Sequence, residues 1–196
     1  MATAGHFLWE FVKAPTTTAA LGPSSRALAE RMAAPIPLRG DPVVVELGPG
    51  TGAFTEVIQE RLAGRGRHLA LELNEGWAAD LGRRFGNVES VCADARAMPE
   101  VLADRGLCAD VVVSGLPWAA HAPVDGVPLM RVIAESLRPD GAFAQFGYTW
   151  TSWAPPARRQ RADMRAEFEE TVVSRTVWGN LPPAVAYLAR RPRRRE

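Results

Sequence analysis

The fold of this chain is decided by the stretch Val43-Val44-Val45-Glu46-Leu47-Gly48-Pro49-Gly50-Thr51-Gly52-Ala53-Phe54. The stretch starts as a β-branched apolar run, continues as a cluster of three glycines and ends where a helical pattern begins. Glycines permit a sharp turn and bring backbone N–H groups close to a ligand, and a helix start adds unpaired amides and a positive dipole end. The stretch therefore predicts a strand, a tight loop and a helix that bind a nucleotide-type ligand.

Glu46 distinguishes between the nucleotides that such a loop can bind. The spacing Gly48-x-Gly50-x-x-Ala53 also fits a dinucleotide-binding turn. A carboxylate about 5 Å from one pyrophosphate charge would cost on the order of 3 kcal/mol at an effective dielectric near 20. S-adenosylmethionine carries a sulfonium and an ammonium against one carboxylate, so Glu46 can pair with the ammonium. The charge argument favours S-adenosylmethionine, with a glycine-rich turn that binds nothing as the alternative.

Composition limits the class of protein. The 196 residues are 47% hydrophobic and 23% charged, as in one ordinary globular domain with room for a small cap. The formal net charge of +1 gives no overall signature of nucleic-acid binding. Cys92 and Cys108 have no metal-ligand spacing, and no run has the ~18 apolar residues of a membrane span. We expect a cytoplasmic monomer without a metal ion or a nucleic-acid partner.

Residues 1–40 are predicted to form a helical cap ahead of the first strand, and residues 41–196 the ligand-binding domain. The first helix of the cap has one apolar face, formed by Phe7, Leu8, Phe11 and Val12. This face packs either on its own domain or on an anionic membrane surface. A second helix is expected to begin at an N-cap, Ser24 or Ser25.

The rest of the chain predicts an α/β fold with a doubly wound, mostly parallel sheet and an antiparallel terminal strand. Glu72 ends the second strand, where a carboxylate can accept hydrogen bonds from both ribose hydroxyls. Asp94 follows the third strand and either accepts from an adenine amino group or forms a turn. The apolar fourth strand leads into Ser114-Gly115-Leu116-Pro117-Trp118. Residues 168–178 and 184–190 predict the closing antiparallel pair.

The order of these motifs resembles that of class I S-adenosylmethionine-dependent methyltransferases over nearly the whole chain. More narrowly, the chain resembles the soluble bacterial phospholipid N-methyltransferases, which methylate phosphatidylethanolamine stepwise toward phosphatidylcholine. The narrower resemblance is carried by three segments: Pro15 through Gly22-Pro23-Ser24-Ser25, Ser114-Gly115-Leu116-Pro117, and Trp178-Gly179-Asn180-Leu181-Pro182-Pro183-Ala184. It implies a Rossmann-like fold, S-adenosylmethionine as cofactor, phosphatidylethanolamine or its partly methylated forms as acceptor, and peripheral contact with the inner face of the membrane.

The resemblance also implies roles for individual residues. The residues expected to bind the cofactor are Glu46, Gly48, Gly50 and Gly52 at the methionine part, Glu72 at the ribose, Asp94 and the Ala95 amide at the adenine, and Ser114. The residues expected near the acceptor are Ser24, Ser25, Leu116, Pro117, Trp118 and Trp150. The N-terminal helix is expected to dock on the membrane.

The acceptor amine must be deprotonated before its lone pair can attack the sulfonium methyl group. A lysine-like amine is mostly protonated at neutral pH, so the site must desolvate it or remove its proton. Tyr148 and His121 are the candidates for hydrogen-bonding this amine. Four aromatic residues around the crevice either receive the methylated ammonium by cation–π contact or pack as core and lid, namely Trp118, Tyr148, Trp150 and Trp153.

Three other classes of function stay open. Ribosomal RNA adenine dimethylases have a similar pattern, but they use Asn-x-Pro-aromatic after the fourth strand to bind a flipped base. This chain has Ser114-Gly115-Leu116-Pro117-Trp118 at that position, without the Asn. A soluble small-molecule methyltransferase is the second class. A cofactor-binding module without catalysis is the third, because methyl transfer depends mostly on placement and motifs alone do not establish it.

Overall fold

The computed structural model describes residues 24–117 and 123–194. The predicted apolar helix of residues 7–12 lies outside the described residues, as do Trp118 and His121. None of the helices in the described part of the chain is both long enough and apolar enough to cross a bilayer.

Strands and helices alternate along most of the described chain. The strands are β1 (Val43–Leu47), β2 (Arg67–Glu72), β3 (Val88–Cys92), β4 (Ala109–Ser114), β5 (Leu137–Tyr148), β6 (Phe168–Val173) and β7 (Ala184–Pro192). The helices are α1 (Arg26–Ala33), α2 (Ala53–Leu62), α3 (Glu75–Arg84), α4 (Met98–Ala103), α5 (Leu129–Ser136) and α6 (Pro155–Glu167). Two 3₁₀ turns, Ala95–Ala97 and Thr149–Thr151, follow β3 and β5.

The strands form one seven-stranded sheet in the order β3-β2-β1-β4-β5-β7-β6. Strands β1 to β5 are parallel, and β7 runs antiparallel to β5 and β6. The predicted α/β fold with a mostly parallel sheet and an antiparallel terminal strand is confirmed. The strand order reverses between β1 and β4, and open sheets of this kind bind ligands at the carboxyl ends of the strands at such a point. We call this side of the molecule the carboxyl edge.

Helices cover both faces of the sheet because its central strands are apolar on both faces. All five residues of β1 are buried. Val45 packs in a cluster with Met98 of α4 and Met130 of α5. Val44, which points to the other face, packs in a second cluster that includes α1 and α2. The molecule therefore has three layers, and the parallel strands are buried in the middle one.

Helix α1 belongs to the layer formed with α2. The Ser25 side chain caps it by accepting from the Leu28 amide at 3.3 Å. Leu28 and Met32 are fully buried in the cluster that also contains Ala144 of β5 and Ala186 of β7. The beginning of the described chain is thereby fixed against the strands at the antiparallel end of the sheet.

Two segments differ in detail from the sequence prediction. The sequence Arg138-Pro139-Asp140-Gly141 predicts a turn into a strand, but in the structure it is a bulge inside β5, because Leu137 pairs with Ala109 and the next pair is Ala142 with Val111. The aromatic, proline-rich and arginine-rich sequence of residues 149–165 predicts a segment that interrupts the sheet and lies over the site, and in the structure this segment contains most of α6. That helix packs against α5 and β6. Its polar, arginine-rich sequence offers little apolar periodicity, which is why the pattern did not indicate a helix.

Candidate active site

The loop after β1 bends at three glycines with positive φ. Gly48, Gly50 and Gly52 have φ of 65°, 53° and 84°, a region that other residues rarely adopt. The Gly48 N–H donates to Leu71 O at 2.9 Å, so the turn begins as a continuation of the β1–β2 ladder. Gly52 is the N-cap of α2 and has no side chain to satisfy the first amides of that helix. The N–H groups of the other two glycines also donate within the protein, Gly50 to Glu72 Oε2 at 3.1 Å and Gly52 to Pro49 O at 2.9 Å, so the donors left for a ligand at the carboxyl edge are the first amides of α2.

The loop after β4 packs directly on this glycine loop. The Gly115 N–H donates to Leu47 O at 2.8 Å. A Cβ on Gly115 would lie 2.5 Å from Gly48 O, and a Cβ on Gly48 would lie 2.6 Å from Leu116 Cδ2. Ser114 is fully buried, and its Oγ accepts from the Leu116 amide at 3.3 Å. The two loops therefore meet with no space for a further side chain, and Ser114, Leu116 and Pro117 lie beside the predicted cofactor loop.

Glu72 connects the end of β2 to the glycine loop. Its Oε2 accepts from the Gly50 amide at 3.1 Å and its Oε1 from the Asn74 amide at 3.0 Å. The side chain is buried, and each carboxylate oxygen can accept more than one hydrogen bond. Ribose hydroxyls could therefore bind the same carboxylate. Its bond to Gly50, which the sequence pattern did not suggest, gives Glu72 a structural role in addition to the predicted one.

Asp94 lies at the end of the neighbouring strand. Its Oδ1 accepts from the Arg96 amide at 2.7 Å and caps the 3₁₀ turn that starts at Ala95. The Ala93 amide donates to Glu72 O at 3.1 Å, which holds the ends of β2 and β3 together. Asp94 is exposed, and Ala95 is buried. The turn-forming role considered from the sequence is present, and the adenine-binding role stays a prediction.

Glu46 has different surroundings from those expected. Instead of an open position in the crevice, its carboxylate is fully buried between the sheet and α2. Its Oε2 accepts from Thr55 Oγ1 at 2.7 Å. The same oxygen lies 3.2 Å from His68 Nε2, without the alignment of a hydrogen bond. Oε1 is also buried and has no hydrogen-bond partner among the described residues. Its predicted bond to the cofactor ammonium would have to form at Oε1.

The buried partners of Glu46 were missed by the sequence reasoning. His68 Nδ1 lies 2.9 Å from Gln59 Nε2 on α2. If the Gln59 NH₂ group donates to Nδ1, the hydrogen of the neutral imidazole is on Nε2, the atom that faces Glu46. The register contains a signal for this arrangement. His68 pairs with Val44, two residues before Glu46, and residues two apart on a strand share a face. A polar residue in each of two adjacent buried strands, on one face, indicates that the two side chains interact.

Tyr148 ends β5 at the carboxyl edge. Its ring meets Phe146 edge to face with centroids 5.4 Å apart, and Phe146 meets Phe54 in the same way at 5.8 Å. Phe54 lies in the first turn of α2, so this aromatic row connects Tyr148 to the helix that follows the glycine loop. Burial raises the pKa of the Tyr148 hydroxyl above its ordinary value of 10.0. The hydroxyl is therefore protonated at neutral pH and can donate or accept a hydrogen bond. Its catalytic role stays a prediction.

The predicted acceptor residues near the start of the described chain lie at the same edge. The Ser25 amide donates to Asn180 Oδ1 at 2.8 Å, and Asn180 Nδ2 donates to Pro182 O at 2.8 Å. The Thr149 amide donates to Pro183 O at 3.0 Å. These bonds bring Ser25, and Ser24 before it, to the connection that precedes β7 and lies next to the end of β5. Asn180 is buried and positions this junction, although the sequence reasoning assigned it no role.

The residues of the site suit S-adenosylmethionine in two respects. The carboxyl edge offers backbone donors in the first turn of α2 and carboxylates at the ends of β2 and β3. The buried Glu46 Oε1 is an acceptor with no partner among the described residues, as a cofactor ammonium requires.

The chain is similar to several known proteins. Residues 45–145 match a family model described as a methyltransferase domain. The chain is 38% identical to ornithine lipid N-methyltransferase of Singulisphaera acidiphila over 188 residues, which cover 94% of each chain. It is 32% identical to ribosomal RNA small subunit methyltransferase A of Synechococcus elongatus over 122 residues, 59% of this chain and 42% of that protein. The O-methyltransferase TomG of Streptomyces achromogenes, solved in complex with SAM, has the same fold, with a TM-score of 0.68 at 14% identity over 97% of this chain and 90% of that chain.

Proposed function

Because the chain belongs to the S-adenosylmethionine-dependent methyltransferases of the class I fold, we propose that it methylates the primary amine of a lipid head group. The favoured acceptor is the amine of an ornithine lipid, and phosphatidylethanolamine is the second acceptor of the same chemistry. The similarity to the ornithine lipid enzyme supports this assignment most, because it extends over 94% of both chains. The similarity to the ribosomal RNA enzyme extends over 59% of this chain.

The cofactor is S-adenosylmethionine, whose sulfonium supplies an electrophilic methyl group. In our proposal the first amides of α2, directly after the glycine loop, bind its methionine carboxylate, and Glu46 Oε1 accepts from its ammonium. Glu72 accepts from the ribose hydroxyls with the lone pairs that its bonds to Gly50 and Asn74 leave over. Asp94 and the Ala95 amide bind the adenine. These contacts fix the direction in which the methyl group faces the acceptor.

On the acceptor side, we assign Tyr148 the orientation of the amine rather than the removal of its proton. The raised pKa of Tyr148 makes phenolate a minor species at neutral pH. The neutral hydroxyl oxygen can still accept a hydrogen bond from the amine and direct the nitrogen lone pair. Partial desolvation beside Phe146 and Phe54 disfavours the ammonium form, so the proton is lost to solvent as the amine enters. Leu116 and Pro117 would line the other side of this entrance.

A lipid acceptor requires contact with a membrane. We propose that the enzyme acts as a cytoplasmic monomer that binds peripherally to anionic lipid surfaces. The formal net charge of +1 is too small to drive such binding alone, so local charges and apolar contacts must contribute.

The experiment is a methyl-transfer assay with the full chain and methyl-labelled S-adenosylmethionine. Separate reactions contain vesicles with ornithine lipid, vesicles with phosphatidylethanolamine, vesicles of phosphatidylcholine alone, ribosomal RNA, or a water-soluble metabolite extract. We expect label in the ornithine lipid, less in phosphatidylethanolamine, and none in phosphatidylcholine, whose amine is already fully methylated. Label confined to the RNA or to water-soluble products would overturn the lipid assignment, and label confined to phosphatidylethanolamine would reverse the order of the two lipids.

A further inference from the structure

Large apolar side chains are exposed at the carboxyl edge, and we call four of them, which come from the connections after β5 and before β7, the tryptophan surface. Trp150, Trp153, Trp178 and Leu181 are 47%, 72%, 76% and 72% exposed. Aromatic and aliphatic side chains of this size are normally buried, and a group of them at one place marks an interaction site. From their sequence context, Trp150 and Trp153 are either cation–π residues or packing residues. Their exposure shows that packing within the described residues does not account for them.

The four residues come from two neighbouring connections. Trp150 and Trp153 follow β5, whereas Trp178 and Leu181 precede β7. Thr149 joins the two connections, since both its amide and its Oγ1 bond to Pro183 O, at 3.0 and 3.1 Å. Tyr148, which we place at the acceptor amine, pairs with Ala184 at the base of both connections. The tryptophan surface is therefore next to the entrance of the active site.

The connection before β7 reverses the usual pattern of a surface loop. Its polar residue Asn180 is buried and hydrogen-bonded to Ser25 and Pro182. The apolar residues on either side of it, Trp178 and Leu181, face solvent. The buried amide fixes the backbone of this loop, so the two apolar side chains are held outward by a stable framework. A surface held in this way is suited to a partner that takes up apolar side chains.

The charges around the surface identify the chemistry of that partner. Residues 149–161 and 174–183 contain four arginines and no Asp or Glu, and the arginines are Arg158, Arg159, Arg161 and Arg175. The next acid along α6 is Asp163, whose carboxylate interacts with Arg159. Arg158, Arg159 and Arg175 are exposed. Tryptophan prefers the boundary between lipid head groups and acyl chains, and neighbouring cations strengthen binding to anionic lipids. We infer that the tryptophan surface is the face with which the protein lies on an anionic lipid bilayer, with the active-site entrance toward the lipid. The inference builds on the proposed lipid substrate, but binding through this surface does not require turnover.

The first test measures vesicle binding without methyl transfer. The vesicles contain phosphatidylcholine with phosphatidylglycerol and no primary amine, so the result does not depend on the acceptor. We compare the full chain with the double variant Trp153→Ser/Trp178→Ser by sedimentation. A matched control is Leu38→Ser, because Leu38 is 70% exposed but precedes β1 at the opposite edge of the sheet. We expect at least a tenfold loss of vesicle affinity in the double variant, none in the control, and unchanged S-adenosylmethionine affinity.

A second variant tests the electrostatic part. Arg158→Gln/Arg159→Gln should weaken binding to phosphatidylglycerol vesicles severalfold and reduce the effect of added salt, with no change on phosphatidylcholine alone. Unchanged binding of the tryptophan variant to anionic vesicles would overturn the inference. A lowered melting temperature of the tryptophan variant without a loss of vesicle binding would also overturn the inference, because it would indicate that another segment of the chain covers the surface. A dimer in sedimentation velocity that the tryptophan variant converts to monomer, again with vesicle binding unchanged, would assign the surface to a second copy.

Discussion

Replacement of Glu72 by glutamine separates the structural role of this carboxylate from its proposed role at the cofactor ribose. Its two oxygens each accept a backbone N–H, from Gly50 and from Asn74. A glutamine amide has one acceptor oxygen and one NH₂ group, so in either orientation the NH₂ group faces one of these donors. We expect the loss of one charge-assisted hydrogen bond, about 2 kcal/mol of the free energy of unfolding. For a chain of this length that lowers the melting temperature by roughly 4–8 °C.

The same substitution should weaken cofactor binding by a separate amount. A ribose hydroxyl that donates to a neutral amide oxygen instead of a carboxylate loses only the difference between a charged and a neutral hydrogen bond, about 1–1.5 kcal/mol or roughly 5- to 13-fold in affinity. S-adenosylmethionine and S-adenosylhomocysteine share the ribose, so calorimetry should find the same loss for both. The matched control is Glu75→Gln, which removes the same charge from an exposed position three residues away in the first turn of α3. A lower melting temperature with unchanged affinity for both ligands would refute the ribose assignment and leave Glu72 with a structural role alone.

Three further substitutions test other parts of the site. Gly115→Ala puts a Cβ 2.5 Å from Gly48 O, so we expect displacement of the glycine loop, a stability loss of about 1–3 kcal/mol and weaker cofactor binding by calorimetry. The control is Gly86→Ala, whose Cβ would meet nothing within 4 Å. Equal stability and cofactor affinity of the two variants would contradict the close packing at Gly115. Thr55→Val removes the hydroxyl that donates to Glu46 and should cost about 1–3 kcal/mol in urea unfolding, whereas an unchanged midpoint would show that the bond adds no stability. Tyr148→Phe should lower kcat about tenfold through the loss of one hydrogen bond to the amine without changing cofactor affinity. Because burial raises the pKa of Tyr148, the folded state keeps the phenol proton to higher pH than the unfolded state. The stability of the wild type should therefore fall as the pH rises above 10, and the stability of the Phe variant should fall less. Identical pH profiles of stability would contradict this.

The sequence predicted the sheet and the positions of the strand-end carboxylates because both depend on local patterns. Apolar runs such as Val43–Leu47 can be buried on both faces only in the middle of a layered fold. Parallel connectivity then brings the ends of β1, β2 and β3 to one edge, whatever the details of packing. Glu72 and Asp94 needed only this rule to be placed at the same edge.

The surroundings of Glu46 could not be predicted from its position alone. A side chain near the end of a strand can point into the crevice or under the following helix. For Glu46 the outcome depends on the register of β1 and on the first turn of α2. Here that turn contributes Thr55, and β2 contributes His68 from the same face. Helix α6 was missed for a related reason, since its burial comes from a few residues such as Met164 rather than from a continuous apolar stripe.

The backbone contact between Gly48 and Gly115 links the two substrates thermodynamically. In the function we propose, the loop after β1 binds the methyl donor and the loop after β4 borders the acceptor entrance, and the Leu116 side chain and the two backbones fill the space between these loops. A ligand that orders the first loop therefore pays part of the entropy cost of ordering the second, so that the partner ligand binds more tightly. By reciprocity the proposed acceptor amine would raise the affinity for the cofactor by the same factor, and we expect positive cooperativity between the two substrates.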